Sequence, residues 1–230
     1  MKAMPRIFAC LVAFGVVTAC VIQPGIEQLV NSATEKCRQG QYDEAIGDVN
    51  LALERFKTLP ESERATAGKL LVRLANGLES GRSPGPAHEN TSSMATACRM
   101  SVSIRAVVQG PEDPAMEGPA VFVAAQAMRR ADYAAAEPLW RHVVAIRERR
   151  KLPEDFNLAN ARAQLAVCSD AAGRVDESEK LFKEVLAYYD TAPLTEPAGH
   201  KMTLGVIADF YEKHGKFAEA AALRKKADAL

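Results

Sequence analysis

The sequence predicts an all-α fold: an α-solenoid of about ten helices, stacked as four to five antiparallel pairs and irregular in the middle. Three observations carry this. The segments ADYAAAEPLW from Ala131, GRVDESEKLF from Gly173 and GKFAEAAALR from Gly215 begin alike and lie 42 residues apart, and GQYDEAIGDV from Gly40 is a fourth copy. Twelve residues before the small residue of each copy lies an alanine: Ala33 before Ala45, Ala124 before Ala136, Ala166 before Ser178, Ala208 before Ala220. Ala75 falls in the same phase, 42 residues after Ala33. Composition agrees, since aromatics are only 6 % of the chain and alanine, which loses no side-chain entropy and lets backbones draw together, is abundant.

The pattern has a physical reading. Two antiparallel helices joined by a short turn touch closely only where both present small side chains, with larger residues three and four places away filling the groove. A glycine after the first helix permits the left-handed cap that ends it. Just beyond, Tyr42, Tyr133, Val175 or Phe217 covers the turn. No such pair buries its apolar face alone, so about three or more must stack.

Taken in order, the chain opens with Lys2 and Arg6 and an apolar run, IFACLVAFGVVTA, from Ile7 to Ala19. That run is too short for a ~30 Å bilayer core. With its charged start and small final residues it reads as an export signal over 1–19. Val17-Thr18-Ala19-Cys20 resembles the lipobox of bacterial lipoproteins. The resemblance implies cleavage before Cys20 and lipid attachment to its thiol, with two or more acyl chains holding the protein on a membrane. Val21 in place of an aspartate then points to an outer membrane, in a cell with two. The same residues also suit an ordinary signal peptidase, which would leave a soluble periplasmic or secreted protein. The apolar run through Val21 and Ile22 is in addition compatible with an uncleaved anchor. Residues 20–25 form a tether that Pro24 and Gly25 end.

Residues 26–109 read as N-terminal repeats with helices near 26–38, 42–57, 62–80 and 92–109. The second pair is degenerate. GRSPGPAHEN (81–90) is a loop where its second helix should start, and Met100, Val102 and Ile104 alternate with Arg99, Ser101 and Ser103 at a strand period. A displaced second helix is the expectation, because a lone strand in a helical stack has no partner. Residues 110–118, with PEDPAMEGP, read as a linker. Three full repeats follow over 119–230, with helices near 119–130, 133–150, 157–172, 175–190, 199–214 and 217–229.

The repeat register resembles the tetratricopeptide family. The 42-residue spacing with Ala136-Glu137-Pro138-Leu139-Trp140 is similar to its kinesin-light-chain-like branch, over roughly 26–230. Pro138 lies past a first helical turn, where proline loses a hydrogen bond. The resemblance implies that it is accommodated there; a kink is the alternative. The resemblance also implies a concave groove lined by the first helices. The register places Asn160, Ala163, Gln164 and Val167, then Met202, Gly205, Asp209 and Glu212 on it, with Val121, Ala125 and Met128 before them. Such a wall suits protein or peptide partners, and Asp209 with Glu212 favours a basic feature in a ligand. The other reading is that these residues face the next helix or water.

Other classes find less support. The 29 basic and 29 acidic residues balance, and a chain without the signal keeps 27 against 29, which gives no footprint for nucleic acid. His88, His142, His200 and His214 lack ligand spacing, and Cys37, Cys98 and Cys168 read as small buried apolar residues. No phosphate loop, nucleophile elbow or cofactor motif occurs. The sequence thus points to an exported, lipid-anchored interaction scaffold that is not an enzyme and needs no cofactor. The alternative is a soluble receptor or enzyme with its pocket in 81–118, using His88, Asn90 and Cys98.

Overall fold

The computed structural model describes residues 24–79, 91–150, 155–191 and 196–230. The signal segment 1–19, Cys20, and His88 and Asn90 of the proline-rich loop lie outside the described residues. Ten α-helices follow one another among those described: α1 (Ile26–Arg38), α2 (Tyr42–Thr58), α3 (Glu61–Glu79), α4 (Thr91–Val108), α5 (Glu117–Arg129), α6 (Tyr133–Arg149), α7 (Phe156–Ala171), α8 (Val175–Thr191), α9 (Pro197–Lys213) and α10 (Phe217–Asp228). A 3-10 turn, Pro114–Met116, precedes α5. Consecutive helices pair as α1–α2, α3–α4, α5–α6, α7–α8 and α9–α10.

The alanine register is the inside of every hairpin it marks. Ala33, Ala45, Ala75, Ala124, Ala136, Ala166, Ser178 and Ala208 are all 0 % exposed, and Ala220 is 2 % exposed. Helices that meet at a methyl or hydroxymethyl can approach far more closely than helices that meet at leucines. Larger side chains then fill the flanks, as Val49, Val143, Val185 and Ile207 do.

Turns obey one geometry as well. Gly40, Gly173 and Gly215 adopt φ of 79°, 78° and 76°. The next amide in each case donates back along the helix, Gln41 to Lys36, Arg174 to Ser169 and Lys216 to Tyr211, at 2.8–2.9 Å. This is the left-handed closure that satisfies the last carbonyls of a helix. Ala131 makes the same turn at φ 56°, and Asp132 donates to Ala127 at 3.0 Å. A Cβ there costs the conformation roughly 1–2 kcal/mol that glycine does not incur.

Burial follows the stack. One core joins α1 to α4, another centres on Trp140 between α5, α6 and α7, and a third fills the space around Phe182 and Ile207 in α7–α10. The seam between the first two is α4. Met100 and Ile104 face the N-terminal core, while Val102 packs on the Trp140 core. Ala95, Ala97, Ser101 and Arg105 are buried too, so α4 is covered nearly all round. The displaced helix expected over 92–109 is therefore present, and the strand-like alternation reflects a helix with two apolar contacts.

The stretch expected as a plain linker carries a plug. Met116 is 1 % exposed, and α5 begins at Glu117, two residues before the expected start. α6 runs without interruption past Pro138. Cys37, Cys98 and Cys168 are buried as free thiols. Burial pushes Cys37 up to about 11, and burial with the nearby Glu137 charge does the same for Cys168. Such thiols are not reactive nucleophiles at neutral pH.

Two substitutions check this construction. Ala166→Leu should cost about 1–3 kcal/mol in urea unfolding, because the inter-helix contact has no room to expand. Ala131→Gly should instead raise stability by up to about 1 kcal/mol, since relief of the left-handed strain outweighs the added chain entropy.

Candidate functional site

At two junctions the first helices lie side by side on one face, α1 against α3 and α7 against α9. Between α1 and α3 a cavity of about 550 Å³ opens on that face. Its floor is apolar, made by Val30, Leu74 and Leu78, which are 3 %, 7 % and 8 % exposed. Asn31, Thr34, Arg38 and Arg73 rise around it. A Cβ built at Gly77 on its wall meets nothing within 4 Å, so the α3 backbone is open to close approach there. Arg38 is held by Glu35 at 3.4 Å, within its own helix. Arg73 makes no ion pair with any described residue. A partly apolar trough with a guanidinium at its edge can take a side chain and a carboxylate together.

The residues expected to line a groove farther along the chain differ in exposure and partners. Asn160 and Gln164 are half-buried, and Gln164 Nε2 donates to Asn160 Oδ1 at 3.4 Å. Val167 is half-buried against the C-terminal core, and Ala163 is 2 % exposed within it. Met202 stands 63 % exposed. Asp209 and Glu212 are exposed, and Arg224 of α10 bonds both, Asp209 at 3.0 Å. Their charge is thus met inside the hairpin. The α1–α3 trough goes unnoticed in the sequence reading, although a signal is present: Thr34 follows Ala33 as Val167 follows Ala166 and Asp209 follows Ala208.

Polar contacts tie each hairpin to the next. Asp170, at the end of α7, receives Lys213 Nζ at 2.7 Å, and His214 Nε2 lies 2.8 Å from its other oxygen. Burial pushes its carboxyl up, but the hydrogen bonds and charges of Lys213 and His214 outweigh that and hold it below the usual range. Along the second helices, Arg141 bonds Glu137 at 3.0 Å and Glu177 at 2.9 Å, and Arg174 bonds the same two acids at 2.6 and 2.8 Å. Hydrogen bonds from both arginines hold both carboxyls below their ordinary value. One period on, Glu179 takes Lys183 at 2.9 Å and Lys216 at 2.6 Å.

The irregular middle carries a further network. Arg105, 4 % exposed, reaches Glu79 at 2.8 and 3.1 Å, Asn76 at 2.5 Å, Gln109 at 3.0 Å and Asp113 at 3.2 Å, and Ser101 also donates to Glu79. Burial opposes the charge on this guanidinium, and the two carboxylates more than restore it. Cys98, beside Glu79, has its thiol pushed up by burial and by that charge. These groups engage one another and clamp α3, α4 and the turn before α5. Among the described residues no cluster of His, Cys, Asp and Glu is placed to hold a metal ion. No described helix is long and apolar enough to cross a membrane.

Stacked hairpins closed on small residues define an all-α solenoid of the tetratricopeptide-like class. No family model and no curated protein matches the sequence. Solved structures match the fold. BtubC (BKLC) from P. vanneervenii aligns over 89 % of this chain and 78 % of its own, with 17 % identity and a TM-score of 0.54. A single-residue variant of a Podosopora anserina protein of nearly identical TPR-like repeats aligns over 89 % and 93 %, with 20 % identity and a TM-score of 0.51.

Asp170 offers a direct test of the junction. Asp170→Asn should lower stability by about 1–2 kcal/mol at neutral pH, since Lys213 and His214 exchange a charged acceptor with an oxygen for each for a neutral amide with one oxygen. The native carboxyl is depressed, so its contribution is present above the unfolded value near about 3.9 and is lost as pH falls through the native one. Urea melts of the two proteins should therefore converge in acid.

Proposed function

We propose that this chain is an exported, lipid-anchored scaffold that binds other proteins along the face of its first helices, and that it is not an enzyme. The observation that carries the binding half is the α1–α3 trough, with its apolar floor and an Arg73 that makes no ion pair with described residues. Of its two arginines, Arg38 is met by Glu35, which leaves Arg73 to meet a carboxylate of a partner. In this reading Asn160, Gln164, Val167 and Met202, half-buried or exposed on α7 and α9, supply further contacts to an elongated partner. Support for the anchoring half is the Val17-Thr18-Ala19-Cys20 motif, with Cys20 as the lipid attachment and the bacterial envelope, facing an outer membrane where there is one, as the location.

The alternative, a receptor or enzyme with a pocket at 81–118, draws no support from Ser101, Arg105, Gln109 and Asp113, whose polar atoms are committed to one network.

The two halves are tested separately. Arg73→Glu should abolish capture of cellular partners by the purified protein while leaving its melting temperature unchanged. Capture equal to wild type would overturn the trough as the binding site. Cys20→Ala should move the protein from the detergent phase to the aqueous phase without unfolding it, and unchanged partitioning and mass would remove the anchor.

A further inference from the structure

We propose that a second groove, between α3 and the end of α4, takes an acidic amphipathic helix of a partner protein. That helix lies along α3 in the place a neighbouring first helix takes at two other joints. The proposal rests on the reading of this chain as a protein-binding scaffold, but its site is on the other flank of α3 from the trough.

The argument starts from the residue three places before each register alanine. On α1 it is Val30 and on α7 it is Ala163, and they are 3 % and 2 % exposed. Those are the two helices that lie beside the next first helix, α3 and α9. On α5 it is Val121, which packs on the Trp140 core. On α3 it is Val72, half-exposed and joined to none of the three cores among the described residues. The next first helix, α5, packs on α4 instead. A cavity of about 650 Å³ opens where it would otherwise lie.

The groove has an apolar floor and a basic edge. Phe56, Val107 and Val108 lie in it beside Val72. A Cβ at Gly68 would meet Val108 at 3.0 Å, so the floor beneath is closed and side chains must enter from the open side. Lys69 and Arg73 stand exposed along the edge, and neither makes an ion pair with any described residue. Arg64, at one end, gives its guanidinium to the carbonyls of Leu59 and Lys57. At the other end the nearest carboxylates, Glu79 and Asp113, are held by Arg105. No acid lines the groove.

Two like charges one turn apart disfavour the helix that carries them. Carboxylates at the same spacing on an incoming helix would relieve that repulsion, while a large apolar residue between them seals Val72. From Arg64 to Asn76 the groove runs about 18 Å along α3, room for roughly three turns of helix. Its walls are helices, whose ridges accept a third helix laid alongside.

The probe is a designed peptide of three to four turns, with two leucines one turn apart and two glutamates at the same spacing. By fluorescence anisotropy it should bind the full chain, and circular dichroism should show it gaining helix. A version with lysines for the glutamates should bind at least about tenfold more weakly. Lys69→Glu and Val72→Asp should each cost a similar factor, and Lys69→Glu with Arg73→Glu should prefer the lysine peptide. Thr34→Arg, which fills only the trough, should leave affinity unchanged. Val72→Ser replaces a Val72→Asp chain that does not fold.

No binding, or Lys69→Glu and Val72→Asp chains that bind as wild type, overturns the proposal. So does a peptide that binds without gaining helix. Binding lost in Thr34→Arg but kept in Lys69→Glu overturns it in favour of the trough. Phosphatidylglycerol vesicles that bind through Lys69 when the peptide does not would overturn it in favour of a membrane surface. If the groove fails while Arg73→Glu still abolishes partner capture, the trough reading stands without it.

Discussion

The structure depends on a contact in which almost nothing is present. At the centre of each regular hairpin, an alanine on one helix meets an alanine or serine on the other, and both are sealed from water. That contact sets the distance between helices, and the distance sets everything outward of it. Close helices leave shallow flanks that valines and leucines fill, and the filled flank is one half of a core that only the next hairpin completes. Stability is thereby a property of neighbours. The cores overlap in sequence for this reason: α7 contributes Leu165 to the core around Trp140 and Ala166 to the one around Phe182.

Most of this is legible in the sequence, because a helical hairpin is one of few arrangements that demand alanine twelve residues from a small partner at a fixed period. All ten helices lie within a few residues of where that register places them. What is hard to read is hard for a physical reason. α4 has no polar face to mark a helical period, since Met100 and Ile104 serve one core, Val102 another, and Ser101 and Arg105 turn to Glu79. A helix buried on every side looks like no helix in particular. Met116 is hidden similarly, as one apolar residue inside a stretch dominated by proline and acid.

Function is less legible than fold, because a binding face is defined by what is left unpaired. The letters alone place Asp209 and Glu212 on that face as free acids, and do not show that Arg224, fifteen and twelve residues on, takes both. Nor do they show that the trough opens at the other end of the chain, where Arg73 is left without an acid among the described residues. Charge is readable from letters. Neutralisation requires coordinates.

The recurrence of junction residues has an evolutionary corollary. Suppose residues 173–214 were copied once in tandem within the gene. The new Arg174 and Glu177 would find Glu179 and Lys183 waiting, and the new Lys213 and His214 would find Glu212. Glycine at the start of the block would close the turn it enters. Because the Arg174–Glu137 coupling recurs as Lys216–Glu179, a stack of this kind can lengthen by recombination at that joint without a compensating mutation, and its length is an easily inherited variable.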